Sequence, residues 1–125
     1  MGKSPKRRLT TIVAADVFGY SRLVATDEEG TLAALSGHRS ELIDPKISEH
    51  DGRIANTAGD SLLIEFQSVV EALRFAISMQ HGVSERNADI PEDRQVVFRV
   101  GINLGDVIEQ NGDLLGDGVN VAARI

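Results

Sequence analysis

Two aspartates, Asp16 and Asp60, lie at the ends of short apolar runs and are the residues best placed for chemistry. Asp16 follows the run at positions 10–15, and Asp60 lies in the turn between the runs at 53–55 and 62–64. If these runs are adjacent strands of one sheet, both carboxylates lie at the same sheet end. Two carboxylates there can hold two divalent cations against a nucleoside triphosphate. The spacing therefore favours phosphoryl or nucleotidyl transfer.

The segment after Asp16 consists of Val17 and then Phe18, Gly19, Tyr20 and Ser21, and its backbone N–H groups could cradle phosphates. Glycine permits close approach of the backbone to a ligand. Each feature alone has a simpler explanation, because an aspartate after a strand is commonly a helix cap or turn former, and Gly-Asp is an ordinary hairpin turn. Their joint arrangement is what favours a catalytic role.

A third segment near the C-terminus carries an amide and a guanidinium. Asn120 and Arg124 are four residues apart and would lie on the same side of a helix. An amide that anchors a ribose and a guanidinium that binds a phosphate oxygen would make a transition-state pair. The alternative is an asparagine at a helix start followed by a surface arginine.

The elements that position these residues follow from hydrophobic periodicity and turn residues. Capping boxes at Thr26 and Ser68 each predict a helix start, and Gly52 is expected in the left-handed position that closes the first helix. The second helix is expected to run to about His81. Its inward stripe is predicted to consist of Val69, Leu73, Ala76 and Ile77.

Strands are predicted over 9–16, 53–58, 61–66, 96–102 and 106–109, with a turn at 110–112. The order of strand, helix, strand, strand, helix and strand is the split βαβ pattern. It predicts an α+β fold, a ferredoxin-like (βαββαβ) palm domain. Its sheet would be mainly antiparallel, with the helices on one face.

Composition limits the functional class of the chain. The 125 residues carry a net charge of −6 and contain no cysteine, which argues against a general nucleic-acid binder and excludes disulfide scaffolds and thiol catalysis. Residues 1–8 are expected to form a basic N-terminal tail. With no membrane segment or signal peptide in the sequence, a cytoplasmic location is expected. The three histidines lack ligand spacing and are expected on the surface.

Four ordered segments resemble the catalytic domain of class III adenylate/guanylate cyclases. They are AADVFGYS, GRIANTAGDSLLIEF, FRVGINLGDV and GDGVNVAARI, and the match covers residues 9–125. The resemblance implies an adenylate cyclase that converts ATP to 3′,5′-cyclic AMP and pyrophosphate. The implied cofactors are two divalent cations, Mg²⁺ or Mn²⁺.

The resemblance also assigns roles to individual residues. Asp16 and Asp60 match the metal-binding aspartates, and Val17 would add a backbone carbonyl. Asn120 and Arg124 match the pair that positions the ribose and stabilises charge at the α-phosphate, while Asn56 and Asp113 occupy the purine-reading positions. The family builds each site between the two protomers of a head-to-tail dimer. Since this chain carries both sets of residues, a homodimer with two sites is expected.

The sequence departs from the family pattern at two places. Adenylate cyclases usually carry lysine where this chain has Asn56, and guanylate cyclases usually carry glutamate. Asn56 can both donate and accept hydrogen bonds, so ATP is favoured and GTP stays open. A downstream phosphate-binding lysine and further strands are also missing, so the chain is expected to be a catalytic domain that is incomplete at its C-terminus and poorly active.

Three other interpretations compete with the cyclase. A diguanylate cyclase would carry a Gly-Gly-Asp/Glu-Glu-Phe turn, and the hairpin around Asp60 does not fit it. A non-catalytic regulatory or dimerisation module would usually lose a metal aspartate or the Asn/Arg pair, and all four residues are present. A nucleic-acid-binding ferredoxin-like domain is disfavoured by the acidic charge and the shortage of aromatic residues.

Overall fold

The computed structural model describes residues 6–115, in which strands alternate with helical segments. The strands are β1 (Lys6–Val17), β2 (Arg53–Ala58), β3 (Ser61–Phe66), β4 (Phe98–Gln110) and β5 (Asp113–Leu115). The α-helices are α1 (Tyr20–Thr26), α2 (Glu28–His38), α3 (Asp44–Glu49) and α4 (Val69–Asn87). A π-helical segment (Arg39–Ile43) joins α2 to α3, and a 3₁₀ turn (Glu92–Arg94) precedes β4.

The sheet has the order β2-β3-β1-β4-β5, and all of its described pairs are antiparallel. This is the strand order of a ferredoxin-like palm with one short strand added at the β4 edge. The antiparallel sheet packs its helices on one side, so the predicted fold class is confirmed. The hairpin of β2 and β3 has the bounds that the sequence predicts, with Gly59 at φ 59° in its turn.

The central pair of strands is longer than the sequence indicated. β1 begins at Lys6, so the last three residues of the expected N-terminal tail belong to the strand. β4 is continuous from Phe98 to Gln110, whereas two separate strands were expected. The two strands pair from Lys6↔Glu109 to Val17↔Phe98. This continuous ladder holds the Asn103–Gly105 stretch extended, although local composition favours a break there.

The core lies between the sheet and α4, and here the predicted helix stripe is wrong. Phe75 and Met79 are fully buried, and Phe75 packs against Phe66 of β3 with ring centroids 5.0 Å apart. Of the predicted inward residues only Ala76 is buried; the others are exposed on a neighbouring stripe of the helix, namely Val69, Leu73 and Ile77. The helix has two apolar stripes, and the larger side chains of the other stripe fill the core.

Capping signals are confirmed in part. The Ser68 side chain accepts a hydrogen bond from the Glu71 N–H at 3.1 Å, as the capping box predicts. Asp27, rather than Thr26, caps α2 by accepting from the Gly30 N–H at 3.0 Å.

Asp51 takes the left-handed conformation expected of Gly52, with φ 57°. Gly52 instead lies against Phe66, whose ring leaves no room for a Cβ atom.

His38 differs from the surface location expected of the histidines. It is 6% exposed, and its ring meets Phe98 edge to face with centroids 6.2 Å apart. Burial, together with the nearby Arg86, lowers the pKa of His38. Its imidazole is therefore neutral at pH 7 and serves as part of the packing.

None of the helices within residues 6–115 combines the length and apolar character required to cross a bilayer.

The second face of the sheet carries an ionic cluster around Glu65. This carboxylate is 8% exposed and accepts hydrogen bonds from Arg8, from Arg53 at 2.9 Å and from the Thr10 hydroxyl at 2.6 Å. Burial alone would raise the pKa of Glu65, but these donors outweigh it and hold the pKa at about 2, against an ordinary 4.5. The cluster ties β1, β2 and β3 together beside a small apolar group of Ile12, Val107 and Leu114.

Glu65→Gln is expected to destabilise the protein by about 1–3 kcal/mol at neutral pH, since it removes the charge that two arginines share. Because the folded pKa of Glu65 is depressed, its contribution is present above pH 4.5 and is lost as the pH falls towards 2. The difference in free energy of unfolding between wild type and Glu65→Gln should therefore be larger at pH 6 than at pH 3. Urea denaturation at both pH values measures it.

The matched control is Glu49→Gln, which removes an exposed carboxylate from α3. It should leave the free energy of unfolding nearly unchanged at both pH values. A Glu65→Gln difference that stays constant between pH 6 and pH 3 would contradict the role given to the cluster.

Candidate active site

The antiparallel pairing of β1 with β3 brings the two candidate metal ligands to one end of the sheet. Asp16 lies next to the last residue of β1, and Asp60 lies in the turn that leads into β3. The Val17 N–H donates to Asp60 Oδ2 at 2.9 Å, which fixes the second carboxylate beside the end of β1. Gly59 closes the turn with a positive φ that glycine adopts without strain. The predicted juxtaposition of the two aspartates is thus present.

The donor set fits a hard divalent cation that also binds substrate oxygens. Within residues 6–115, no three acidic, histidine or cysteine side chains come together as a self-sufficient metal site. Two carboxylates and the Val17 carbonyl would leave several coordination positions to water and phosphate. This is the way in which Mg²⁺ is usually held beside a nucleotide.

Arg99 is a residue of this site that the sequence analysis missed. It lies directly across from Asp16 in the β1–β4 register. Its Nε donates to Asp16 Oδ1 at 2.8 Å and its Nη2 to Oδ2 at 3.0 Å. The hydrogen bonds that Arg99 donates to Asp16 raise the pKa of Arg99, with a smaller contribution from the charge of Asp60. A basic residue within an apolar strand was the available signal, but only the strand register shows which residue it pairs with.

The expected phosphate loop is shorter than predicted. The Phe18 N–H is already used, since it donates to the Val97 carbonyl at 2.8 Å. Gly19 has φ 66° and immediately precedes α1, so Tyr20 and Ser21 are the first residues of a helix rather than a loop. Tyr20 also packs against the core. The Phe18 ring is exposed, and the Arg99 guanidinium lies 5.9 Å from its centroid.

A cavity of about 610 Å³ opens beside this loop. Its size falls within the range of small-molecule sites. The residues that line it are Phe18, Arg22, Glu92, Asp93, Gln95 and Val97.

The two candidate base-reading residues lie at different positions along the sheet. Asn56 is exposed on β2, just after an irregularity in its pairing with β3. Asp113 begins β5, and its Oδ1 accepts from the Leu114 N–H at 2.8 Å. The turn before Asp113 contacts the start of β2, where Arg53 donates to the Gly112 carbonyl at 2.8 Å.

Asp113 is therefore at the far end of the sheet from Asp16. In the β1–β4–β5 register, Asp16 lies opposite the start of β4 and Asp113 opposite its last residue, Gln110. The contact between Arg53 and Gly112 leads to the same conclusion. Arg53 is the first of the six residues of β2, and these span roughly 20 Å of strand before the Gly59-Asp60 turn. One chain alone does not bring Asp113 to the aspartate pair. Asn120 and Arg124 lie outside the described residues.

Comparison with known proteins identifies the family. No family model matches the chain. It is 47% identical over 123 residues to the curated protein "Putative adenylate cyclase 3" of Rhizobium meliloti (strain 1021), an alignment that covers 98% of this chain and 21% of that protein. It is 43% identical to the adenylate/guanylate cyclase/hydrolase from Silicibacter pomeroyi, whose crystal structure it matches with a TM-score of 0.90 over 97% of this chain and 70% of the other.

The chain belongs to the adenylate/guanylate cyclase catalytic domains. This cyclase domain also shares its fold with the guanylyl cyclase Cya2, at 22% identity and a TM-score of 0.83, over 98% of this chain and 71% of the other. It spans about a fifth of the length of its curated Rhizobium relative. Its similarity to an adenylate cyclase of Streptomyces coelicolor is lower, at 29% identity over 111 residues, which cover 89% of this chain and 28% of that protein.

Proposed function

We propose that this cyclase domain converts ATP to 3′,5′-cyclic AMP and pyrophosphate at the interface of a head-to-tail homodimer in the cytoplasm. The observation that carries the proposal is the distance along the sheet between Asp113 and the aspartate pair. Asp16 and Asp60 lie together at one end, whereas Asp113 lies at the other. Asn120 follows Asp113 by seven residues. A second protomer in the opposite orientation could bring its Asp113 end to the aspartates of the first.

In the proposed site, Asp16, Asp60 and the Val17 carbonyl of one protomer would hold two cations, Mg²⁺ or Mn²⁺. When bound, these cations would lower the pKa of the ATP 3′-hydroxyl and neutralise the triphosphate. The backbone around Gly19 approaches the phosphates, and the guanidinium of Arg99 adds positive charge at the same end of the sheet.

The partner protomer supplies the remaining groups of the proposed site. Asn56 and Asp113 hydrogen-bond the adenine edge, Asn120 orients the ribose, and Arg124 stabilises charge on the α-phosphate. The 3′-oxygen attacks the α-phosphorus in line, the bond from the α-phosphorus to the bridging oxygen breaks, and pyrophosphate leaves. The proton of the 3′-hydroxyl passes to solvent. The protein contributes positioning and charge rather than a covalent intermediate.

Product analysis with ATP and with GTP tests the proposal. The 125-residue chain and a polypeptide extended at its C-terminus are each incubated with either nucleotide and with Mg²⁺ or Mn²⁺. Cyclic AMP from ATP is expected, and Asn56→Lys should increase the preference for ATP because lysine donates to the adenine N1 acceptor without offering an acceptor to guanine.

Each alternative outcome rejects a specific part of the proposal. Cyclic GMP as the main product would reject the adenine assignment and retain the mechanism. If neither polypeptide makes a cyclic nucleotide under any condition, the catalytic function is wrong, and the non-catalytic regulatory module becomes the better interpretation.

A further inference from the structure

We propose that Arg99 is the resident counter-cation of the candidate metal site, which a divalent cation must displace from Asp16 in order to bind. This inference rests on the proposed function, since it assumes that Asp16 is a metal ligand. It adds an exchange step to that function. Of the two carboxylates in the site, that of Asp16 is already paired with a positive charge of the same chain before a metal ion binds.

The geometry of the pair supports this role. Both carboxylate oxygens of Asp16 accept from Arg99, at 2.8 and 3.0 Å, so neither lacks a partner. This two-bond geometry is the strongest form of an arginine–carboxylate pair. The Phe18 ring, 5.9 Å from the guanidinium carbon, flanks the same group. The cross-strand register sets Arg99 opposite Asp16, so backbone pairing and the two hydrogen bonds agree.

Asp60 accepts its hydrogen bond from a neutral donor, unlike Asp16, so the exchange of cations takes place at Asp16. Its Oδ2 accepts from the Val17 N–H, a neutral donor that can stay in place while a cation binds the carboxylate. Arg99 brings a full positive charge to Asp16. A divalent cation bound at the same two oxygens would meet that charge at hydrogen-bond distance, so the two cations exclude each other.

Partial exposure makes the exchange feasible. The side chains of Asp16 and Arg99 are 33% and 59% exposed, and the Arg99 side chain can move into solvent without disturbing the core. Exposed ion pairs of this kind contribute little to stability. We therefore expect Arg99 to weaken cation binding by a modest factor, about 2- to 5-fold.

Mn²⁺ binding to the full chain in the absence of nucleotide tests the inference. Free Mn²⁺ is measured by electron paramagnetic resonance for wild type, Arg99→Gln and Arg99→Lys. Arg99→Gln is expected to bind Mn²⁺ about 2- to 5-fold more tightly, and Arg99→Lys is expected to gain less because lysine keeps a positive charge beside Asp16. Arg99→Gln is decisive because it removes the positive charge and the two-pronged hydrogen bond together. If it binds Mn²⁺ no more tightly than wild type does, the exchange model is overturned.

Two further variants separate the possible failures. Arg22→Gln removes a guanidinium that lies beside Gly19, and within the described residues Arg22 forms no ion pair with Asp16. It should change Mn²⁺ affinity less than 2-fold, and an effect equal to that of Arg99→Gln would show a general charge effect and overturn the inference. Asp16→Asn should lose most Mn²⁺ binding. If it binds like wild type, the metal site of the proposed function is itself wrong.

A second readout follows the arginine directly. The Arg99 Nε–H resonance of wild type, assigned by its absence in Arg99→Lys, is recorded by ¹⁵N NMR during a Mg²⁺ titration. Release from Asp16 should shift this resonance and speed its exchange with solvent as Mg²⁺ saturates the site. An unchanged resonance at saturation would show that Arg99 stays bound to Asp16 and would overturn the inference.

Discussion

Asp16→Ala and Asp60→Asn are each expected to reduce cyclic nucleotide formation by about 1,000-fold or more, because each removes a carboxylate from the proposed two-cation site. Folding should be retained. Asp16 is one-third exposed and its ion pair with Arg99 is at the surface, while asparagine at position 60 keeps an oxygen that can accept from the Val17 N–H at 2.9 Å. Turnover is measured by chromatography of the nucleotide products, and folding by thermal denaturation.

Asp106→Ala is the matched control for these variants. Asp106 is also an exposed aspartate of the sheet with an arginine nearby on the neighbouring strand, Arg7 at 3.8 Å, but it lies near the other end of β4. Its loss should change turnover less than 2-fold, an effect comparable to the energy of an exposed ion pair. Activity retained in both Asp16→Ala and Asp60→Asn would contradict the two-cation mechanism while leaving the fold assignment intact.

Mixing two inactive variants is expected to restore activity if each site is shared between protomers. Asp16→Ala disables the metal-binding side, and Asn120→Ala disables the side contributed by the partner. Random exchange of equal amounts gives half heterodimers, each with one intact site, so about a quarter of the wild-type sites should return. The measurement is turnover of the mixture, with subunit exchange confirmed by co-purification of differently tagged chains.

The control mixture combines Asp16→Ala with Asp60→Asn. Both substitutions affect the same side of the proposed site, so none of their heterodimers contains an intact site and activity should stay absent. If the Asp16→Ala and Asn120→Ala mixture also stays inactive despite confirmed exchange, the shared site is wrong. The residues from both ends of the sheet would then have to meet within one chain.

Local sequence signals predicted the elements that depend on near neighbours. The β2–β3 hairpin follows from two apolar runs around Gly59-Asp60, and the cap of α4 follows from the spacing of Ser68 and Glu71. Both are short-range interactions whose partners are fixed by a few residues of chain. The segment order then restricted the topology to the ferredoxin-like arrangement that the structure has.

The predictions from sequence were wrong where two local conformations were about equally compatible with the residue pattern. α4 presents two apolar stripes, and periodicity alone could not select the one that contains Phe75 and Met79. The residue with left-handed backbone before β2 could be Asp51 or Gly52. In the structure it is Asp51, and Gly52 packs against Phe66. In both cases the volume available between the sheet and its helices decides the outcome, and that volume exists only in the folded chain.

The sequence by itself determined the fold class, the family and the two aspartates that could bind metal, since these depend on residue types and their order. Only the tertiary structure decided which charges face each other. Arg99 is 83 residues from Asp16 along the chain, and Arg8 and Arg53 reach Glu65 from two other strands. Strand register creates these pairs, and it is set by the burial of one whole sheet face rather than by any local motif.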